Sequence, residues 1–452
     1  MMRTNSYYKF FSICLILLSI SSFVIGFIYG ENSAGAGGFT GDFGQTWKNL
    51  QTFLNNDIGT AVHLTTTFDN EIYRSSRTPL LYIFHKLFNP FVENKIIFIR
   101  SVFFMSLSLP FLFYLCLKQK FKKEENLLLI LIASTVLLSP YFRTSSFWAG
   151  EENFGLVALL ISFIFLNQFL SNSKNILKDY YLLFLATFFS SITLYFDQKL
   201  AIIPLICLLQ IIFSNKYLKL KFFSVFLYFI FSLPYIYLIV LWENIIPPLD
   251  ATMRRSISQL YLDQLGYCST IIAFYLLPLL LYKQENLIKL FKNFFLEKKN
   301  YYLISLFFIY LLYLLIFQNY NGEVYRVPRP DWGGGFIRKT AILLFEENYI
   351  QKLFIYFSFF VSWIIILIYL NNNFKDKLII FYFFSLSIIV WPIFQEYLDP
   401  LIILMAFTFF NSKLFINYKN SILLFFYLSI LLISSNIYYL LEFTKLYIIR
   451  IY

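Results

Sequence analysis

Apolar stretches, most of them about 17–22 residues long, recur along the entire chain between short polar segments. They fall at 8–29, 97–117, 126–142, 154–171, 180–196, 200–214, 222–242, 267–282, 301–317, 352–370, 378–394, 400–411 and 421–441. A helix of about 20 apolar residues crosses the roughly 30 Å hydrocarbon core of a bilayer. The pattern predicts an all-α, polytopic transmembrane helical bundle of about 11–13 spans, with 1–452 as a single integral membrane domain. The runs 200–214 and 400–411 are short, which predicts tilted or re-entrant elements there. The first run is read as a retained helix, although Ala34-Gly35-Ala36 behind it also fits a cleavage site for a signal peptide.

Three polar segments exceed what a connection needs: 30–96, 243–266 and 318–351. In the first, a glycine-rich stretch, "GGFTGDFGQTW" (37–47), leads into an amphipathic pattern from Asp42 to Leu54. Phe43, Trp47, Leu50 and Leu54 recur there at helical spacing. A second such pattern covers 79–92 and opens on Pro79, a favoured first helical residue. Two helices lying on the membrane surface are expected in this loop. Asp42 stands at the start of the first, where an aspartate is also a good N-cap.

Composition agrees with the membrane reading. The 452 residues are 59% hydrophobic and only 14% charged, against roughly a quarter charged in soluble domains. The four cysteines (Cys14, Cys116, Cys207, Cys268) sit in or at the ends of apolar runs and show no metal spacing. With the amino terminus cytoplasmic and sides alternating, the inside segments are 1–9, 118–126, 172–179, 215–221, 283–300, 371–377 and 412–420. They hold 20 Lys and Arg against 6 Asp and Glu. That excess obeys the positive-inside rule and accounts for most of the net charge of +12. The basic residues are scattered in short loops, so no nucleic-acid partner is implied. Ten of the eleven arginines fall on or beside the outer side: Arg74, Arg77, Arg100, Arg143, Arg254, Arg255, Arg326, Arg329, Arg338 and Arg450. Planar, bidentate recognition of phosphate or carboxylate is one reason to keep arginine there; snorkelling at the membrane edge is the other.

The outer segments also gather the carboxylates: Asp69 and Glu71 with Arg74 and Arg77, "RTSSFWAGEEN" (143–153), "FDQK" (196–199), "RVPRPDWGGGFIRK" (326–339) and "QEYLDP" (395–400). Charged groups at span ends are costly in lipid, so these should line an aqueous site or pair with one another.

A first outer loop with an acid soon after span one, two surface helices and about 11–13 spans resembles the GT-C superfamily of membrane glycosyltransferases. "FDNEIYRSSRTPLLYIF" (68–84) and "VWPIFQEYLDPLIIL" (390–404) are similar to segments of the branch that uses dolichyl-phosphate glucose. The chain departs from that branch where Gly41-Asp42-Phe43 replaces its Asp-Glu and where Gln395-Glu396 stands in place of an arginine. The resemblance implies inverting transfer from a polyprenyl-phosphate sugar donor to a lipid-linked or cell-envelope glycan acceptor. The setting it implies is the outer face of a bacterial inner membrane, with membrane lipids as surroundings.

Such transfer needs one carboxylate to take the acceptor proton. The first-loop acid of the family maps onto Asp42. Arg143, Arg326 and Arg329 are the candidate phosphate clamps. Glu71, Glu151, Glu152, Asp197 and Glu396 are candidate substrate-binding groups. No cofactor is expected, and a divalent metal is left open. Two other readings stand beside this one. A cell-envelope polysaccharide polymerase or ligase would use His63 or His85. A membrane transporter would carry ionisable residues within spans and helices broken at matched positions.

Overall fold

A backbone in lipid has no water to bond to, so each apolar run satisfies its own N–H and C=O groups by coiling. In the computed structural model every regular element among the described residues is accordingly helical. The structure describes residues 2–33, 43–66, 77–171, 175–247, 260–283, 287–317, 333–370, 373–390 and 392–451. The chain is a multi-pass integral membrane protein whose helices group into two compact units, Met1–Thr252 with Ser421–Tyr452, and Met253–Asn420.

The first unit contains α1 (Met2–Ile28), α2 (Phe43–Asn55), α3 (Ile58–Thr66), α4 (Leu80–Phe88), α5 (Lys95–Ser106), α6 (Ser108–Lys120), α7 (Asn126–Ser134) and α8 (Pro140–Phe147). After these come α9 (Glu152–Ser171), α10 (Ile176–Phe196), α11 (Ile202–Ile212) and α12 (Leu218–Trp242). The second unit contains α13 (Leu262–Leu276), α14 (Leu287–Leu296), α15 (Lys298–Phe317), α16 (Gly335–Leu344), α17 (Asn348–Leu370), α18 (Phe374–Ser387) and α19 (Leu401–Phe407). The last helix, α20 (Tyr418–Ile451), begins at the end of the second unit and continues in the first.

Eight helices among the described residues are long and apolar enough to cross a membrane, counting α5 and α6 as one, and nine if a bent pair is added. Five of the thirteen apolar runs are therefore not single long helices. The run 126–142 bends by 69° between Asn126–Leu138 and Pro140–Phe147. Pro140 has no amide hydrogen and pushes Ser139 out of the helical region, to ψ 121°. The runs 200–214, 267–282, 378–394 and 400–411 hold helices that end early, at Ile212, Leu276, Ser387 and Phe407. Apolar composition does not reveal where a backbone breaks.

Two of the five nevertheless run the length of a full span, because both of their ends are pinned. The bent pair α7–α8 is tied to α1 at one end by Lys9 and Glu125, 2.9 Å apart. At the other end, Arg143 pairs with Glu31 and the Ser33 hydroxyl donates to the Pro140 carbonyl at 2.9 Å. The short helix α11 leaves the carboxyl end of α10 at Asp197. It ends beside the amino end of α10, where Lys216 meets Asp179 at 2.9 Å. A helix of 21 residues such as α10 is about 30 Å long, so α11 and its flanking turns cover that length.

Among its described residues the first loop holds three short helices, α2, α3 and α4, the expected two with α3 between them, and they pack on one another. Phe43, Leu50, Phe53, Ala61, Val62, Leu81 and Tyr82 form one buried cluster with Phe98 of α5, Phe196 of α10 and Trp242 of α12. Asn49 donates to the Tyr82 hydroxyl at 3.1 Å, and the Lys86 ammonium donates to the Phe53 carbonyl at 2.7 Å. The loop is a small helical cap seated on the ends of spans.

Candidate functional site: a buried charged cluster at one end of the first unit

Three segments that are distant in sequence meet beneath this cap. The helix α8 ends at Phe147. Ala149 then takes a left-handed φ of 54°, a conformation that costs an alanine about 1–2 kcal/mol. That turn carries Glu151 and Glu152 to the start of α9. Gly150, just ahead of them, leaves room for a side-chain contact: a Cβ there would lie 2.4 Å from the Ser145 hydroxyl and 2.5 Å from Glu152 Oε2. Those two atoms are hydrogen-bonded to each other at 2.8 Å.

Arg77, just ahead of α4, reaches Glu151 Oε2 at 2.5 Å and donates to the Thr46 hydroxyl of α2 at 2.7 Å. Lys199, in the turn after α10, stands 3.2 Å from Glu152 and 3.5 Å from Asp197. Asp197 also caps that turn, accepting from the Lys199 amide at 2.9 Å. Glu151 and Asp197 are each about 5% exposed. Burial pushes the Glu151 carboxyl well above its usual range against the pull of Arg77. It raises Asp197 likewise, against Lys199. Three acids thus share two cations in a poorly solvated site, which favours holding one exchangeable proton.

The arrangement unites Glu151, Glu152 and Asp197, all candidates from the sequence, and adds Arg77, Lys199, Thr46 and Ser145. Lys199 carried a usable signal, being a lysine two residues from an acid in a short outer turn. Arg77 was one of ten outer arginines with nothing local to single it out.

Arg143 belongs elsewhere, and its expected role as a phosphate clamp is not open to it here. It is 1% exposed, and its guanidinium is spent on internal partners. Nε donates to Glu31 Oε1 at 2.7 Å, Nη1 to the Leu137 carbonyl at 3.0 Å, and Nη2 to the Ser22 carbonyl at 2.8 Å and to Glu31 Oε2. Its plane lies against Phe23 and Phe147. This is an internal ion pair that fastens the bent span to α1. His85 is likewise a core residue: it packs edge-on against Phe98 and Phe154, and burial lowers its pKa to about 3. Held neutral and enclosed, it gives a polymerase or ligase reading no accessible base; His63 is exposed on α3. Glu396 lies in the second unit, on the single turn Gln395–Tyr397. Asp42, Glu71, Arg326 and Arg329 lie outside the described residues. No group of three or more His, Cys, Asp or Glu among the described residues is placed to hold a metal ion.

Compared with known protein families, with curated proteins and with solved structures, the chain has no match.

Proposed function

We propose that the protein is a membrane glycosyltransferase of the GT-C type, acting on a polyprenyl-phosphate sugar at the outer face of a bacterial inner membrane. One observation carries the proposal. The helix that begins directly after Asp42 is docked on the acidic cluster. Phe43 packs against Trp148 of the Glu151 turn, ring centres 6.3 Å apart, and Thr46 accepts from Arg77, the partner of Glu151. A first-loop acid joined to that helix is the group the chemistry requires.

In this reading Asp42 is the base. The acceptor oxygen attacks the anomeric carbon and passes its proton to the Asp42 carboxylate while the bond from that carbon to the phosphate oxygen breaks. The lipid phosphate departs as a stable anion, so no acid is needed to protonate it. Glu151, Glu152 and Asp197 accept hydrogen bonds from sugar hydroxyls, and Arg77 and Lys199 hold those carboxylates in place. The test is Asp42→Asn in purified protein supplied with a series of polyprenyl-phosphate hexoses. Transfer should fall by about 100-fold or more, the usual scale for a general base, with the melting temperature unchanged. Near-normal transfer, or a loss of transfer matched by a loss of folding, rejects Asp42 as the base.

A transporter is the second reading, favoured by the 69° break in the span α7–α8 and the buried Arg143 beside it. Sealed vesicles separate the two readings, since a transporter accumulates solute without cleaving a donor.

A further inference from the structure

The helix α14 answers to none of this chemistry. Its sequence, LIKLFKNFFL, has ten residues and so a length of about 15 Å, half of what a crossing needs. It is nonetheless strongly two-sided. Phe294 is buried against its own unit, while Ile288 and Phe295 are exposed, Ile288 by 77%. Lys289 and Lys292, one turn apart, lie on the side away from the buried Phe294, next to Ile288 and Phe295. Both are exposed, and neither has a carboxylate partner among the described residues.

The position of α14 is fixed by the span that follows. The Asn300 amide donates to the Phe294 carbonyl at 2.8 Å and the Tyr301 hydroxyl to the Phe295 carbonyl at 2.6 Å, so residues of α15 close the last turn of α14. The apolar flank of α14 thereby continues into the exposed apolar side of α15, where Tyr302, Leu306, Ile309 and Ile316 all face outward. Around it, 283–300 holds five lysines and two glutamates.

We infer that α14 is an in-plane anchor that binds anionic phospholipid, with Ile288 and Phe295 set among acyl chains and Lys289 and Lys292 on the headgroups. Three features point to an anionic bilayer surface rather than a partner protein. The apolar flank joins the lipid-facing side of a span. The lysines have no carboxylate partner among the described residues, and each such lysine near an anionic surface strengthens binding about five-fold. The helix is too short to cross yet sits at a span's end, where in-plane amphipathic helices belong.

The full-length protein is reconstituted in nanodiscs of phosphatidylcholine with increasing phosphatidylglycerol, and retention of spin-labelled phosphatidylglycerol is measured. Lys289→Gln with Lys292→Gln should weaken that retention about 25-fold and leave the melting temperature in pure phosphatidylcholine unchanged. A fluorophore on Ile288→Cys, in a Cys14→Ser background, should be quenched by nitroxide on the acyl chains and not by aqueous iodide. Unchanged retention in the double variant, or quenching by iodide alone, overturns the assignment. Shielding of Ile288 from both quenchers would mean that a protein segment covers this face, and overturns it equally.

Discussion

Arg77 and Glu151 form one ion pair, yet their removal leaves different remainders. Arg77→Leu leaves three acids, Glu151 and Asp197 buried and Glu152 partly so, facing Lys199 alone. Breaking such a pair from the cationic side should cost about 3–5 kcal/mol. Glu151→Gln leaves two acids with two cations and should cost less than half as much. Thermal melting of both variants checks the order; equal losses would mean the cluster is not short of positive charge. The same imbalance fixes a pH dependence. Glu151 and Asp197 have folded pKa values raised above the roughly 4 of an unfolded carboxyl. Between those two limits the native state binds more protons, so these groups weaken the fold as pH rises through that window. Glu151→Gln should make the fall of melting temperature above about pH 4 shallower, and an unaltered slope would remove Glu151 from the account. Reading these roles from sequence alone was limited by distance. Arg143 and Arg77 both stand near acids in the sequence, but the partner of Arg143 is Glu31, 112 residues away. Nothing local distinguishes an arginine spent on the fold from one placed in a site.

Among the elements, α2 shows what periodicity captures and what it misses. The helix itself was legible, expected from Asp42 to Leu54 and found at Phe43–Asn55. Its inner face was not. The apolar stripe Phe43, Trp47, Leu50 and Leu54 suggests one side, whereas the buried residues are Phe43, Thr46, Asn49, Leu50 and Phe53. Thr46 and Asn49 are polar and still point inward, where Thr46 accepts from Arg77 and the Asn49 side-chain amide donates to Tyr82. A stripe drawn through apolar letters alone therefore slips by one position. Phe53→Ala should cost about 3–5 kcal/mol and loosen α2–α4 together, since Phe53 is fully buried and stacks on Tyr82 at 5.3 Å. Leu54→Ala, half-buried at the edge, should cost less than half of that. Hydrogen exchange in α2 and α4 reads the difference; equal protection in the two variants would restore the apolar stripe. The third helix, α3, has no strong amphipathic stripe, and its one local signal is Asp57 directly ahead of it, whose carboxylate accepts from the Thr60 amide at 3.0 Å as an N-cap.

At the scale of the molecule, the charge pattern of the loops and the ion pairs of the first unit describe one topology. Lys9 with Glu125, Gln119 with Asn167, and Lys216 with Asp179 join segments at one end of the spans. All but Asn167, which lies in the last turns of α9, belong to segments that the lysine excess assigns to the inside. Glu31 with Arg143, Arg77 with Glu151, and Lys199 with Glu152 join segments at the other end. Both assignments require α7–α8 and α11 to cross, although one is bent and the other is short. The crossing of α11 can be checked without any substrate. In a Cys14→Ser background, which removes the one exposed cysteine, single cysteines replace Thr60, Lys123 and Lys219, all exposed. Between Lys123 and Lys219 lie α7–α8, α9, α10 and α11. Four crossings return the chain to the side it left; three do not. An impermeant maleimide applied to right-side-out vesicles should therefore label Thr60→Cys and spare both lysine positions until the membrane is opened. Labelling of Lys219→Cys with protection of Lys123→Cys would mean that α7–α8 or α11 turns back within the bilayer. Where α7–α8 is the element that turns back, Glu151 and Asp197, separated by the two crossings of α9 and α10, would fall together on the inner face, and the charged cluster would lose its standing as a site open to an outer substrate.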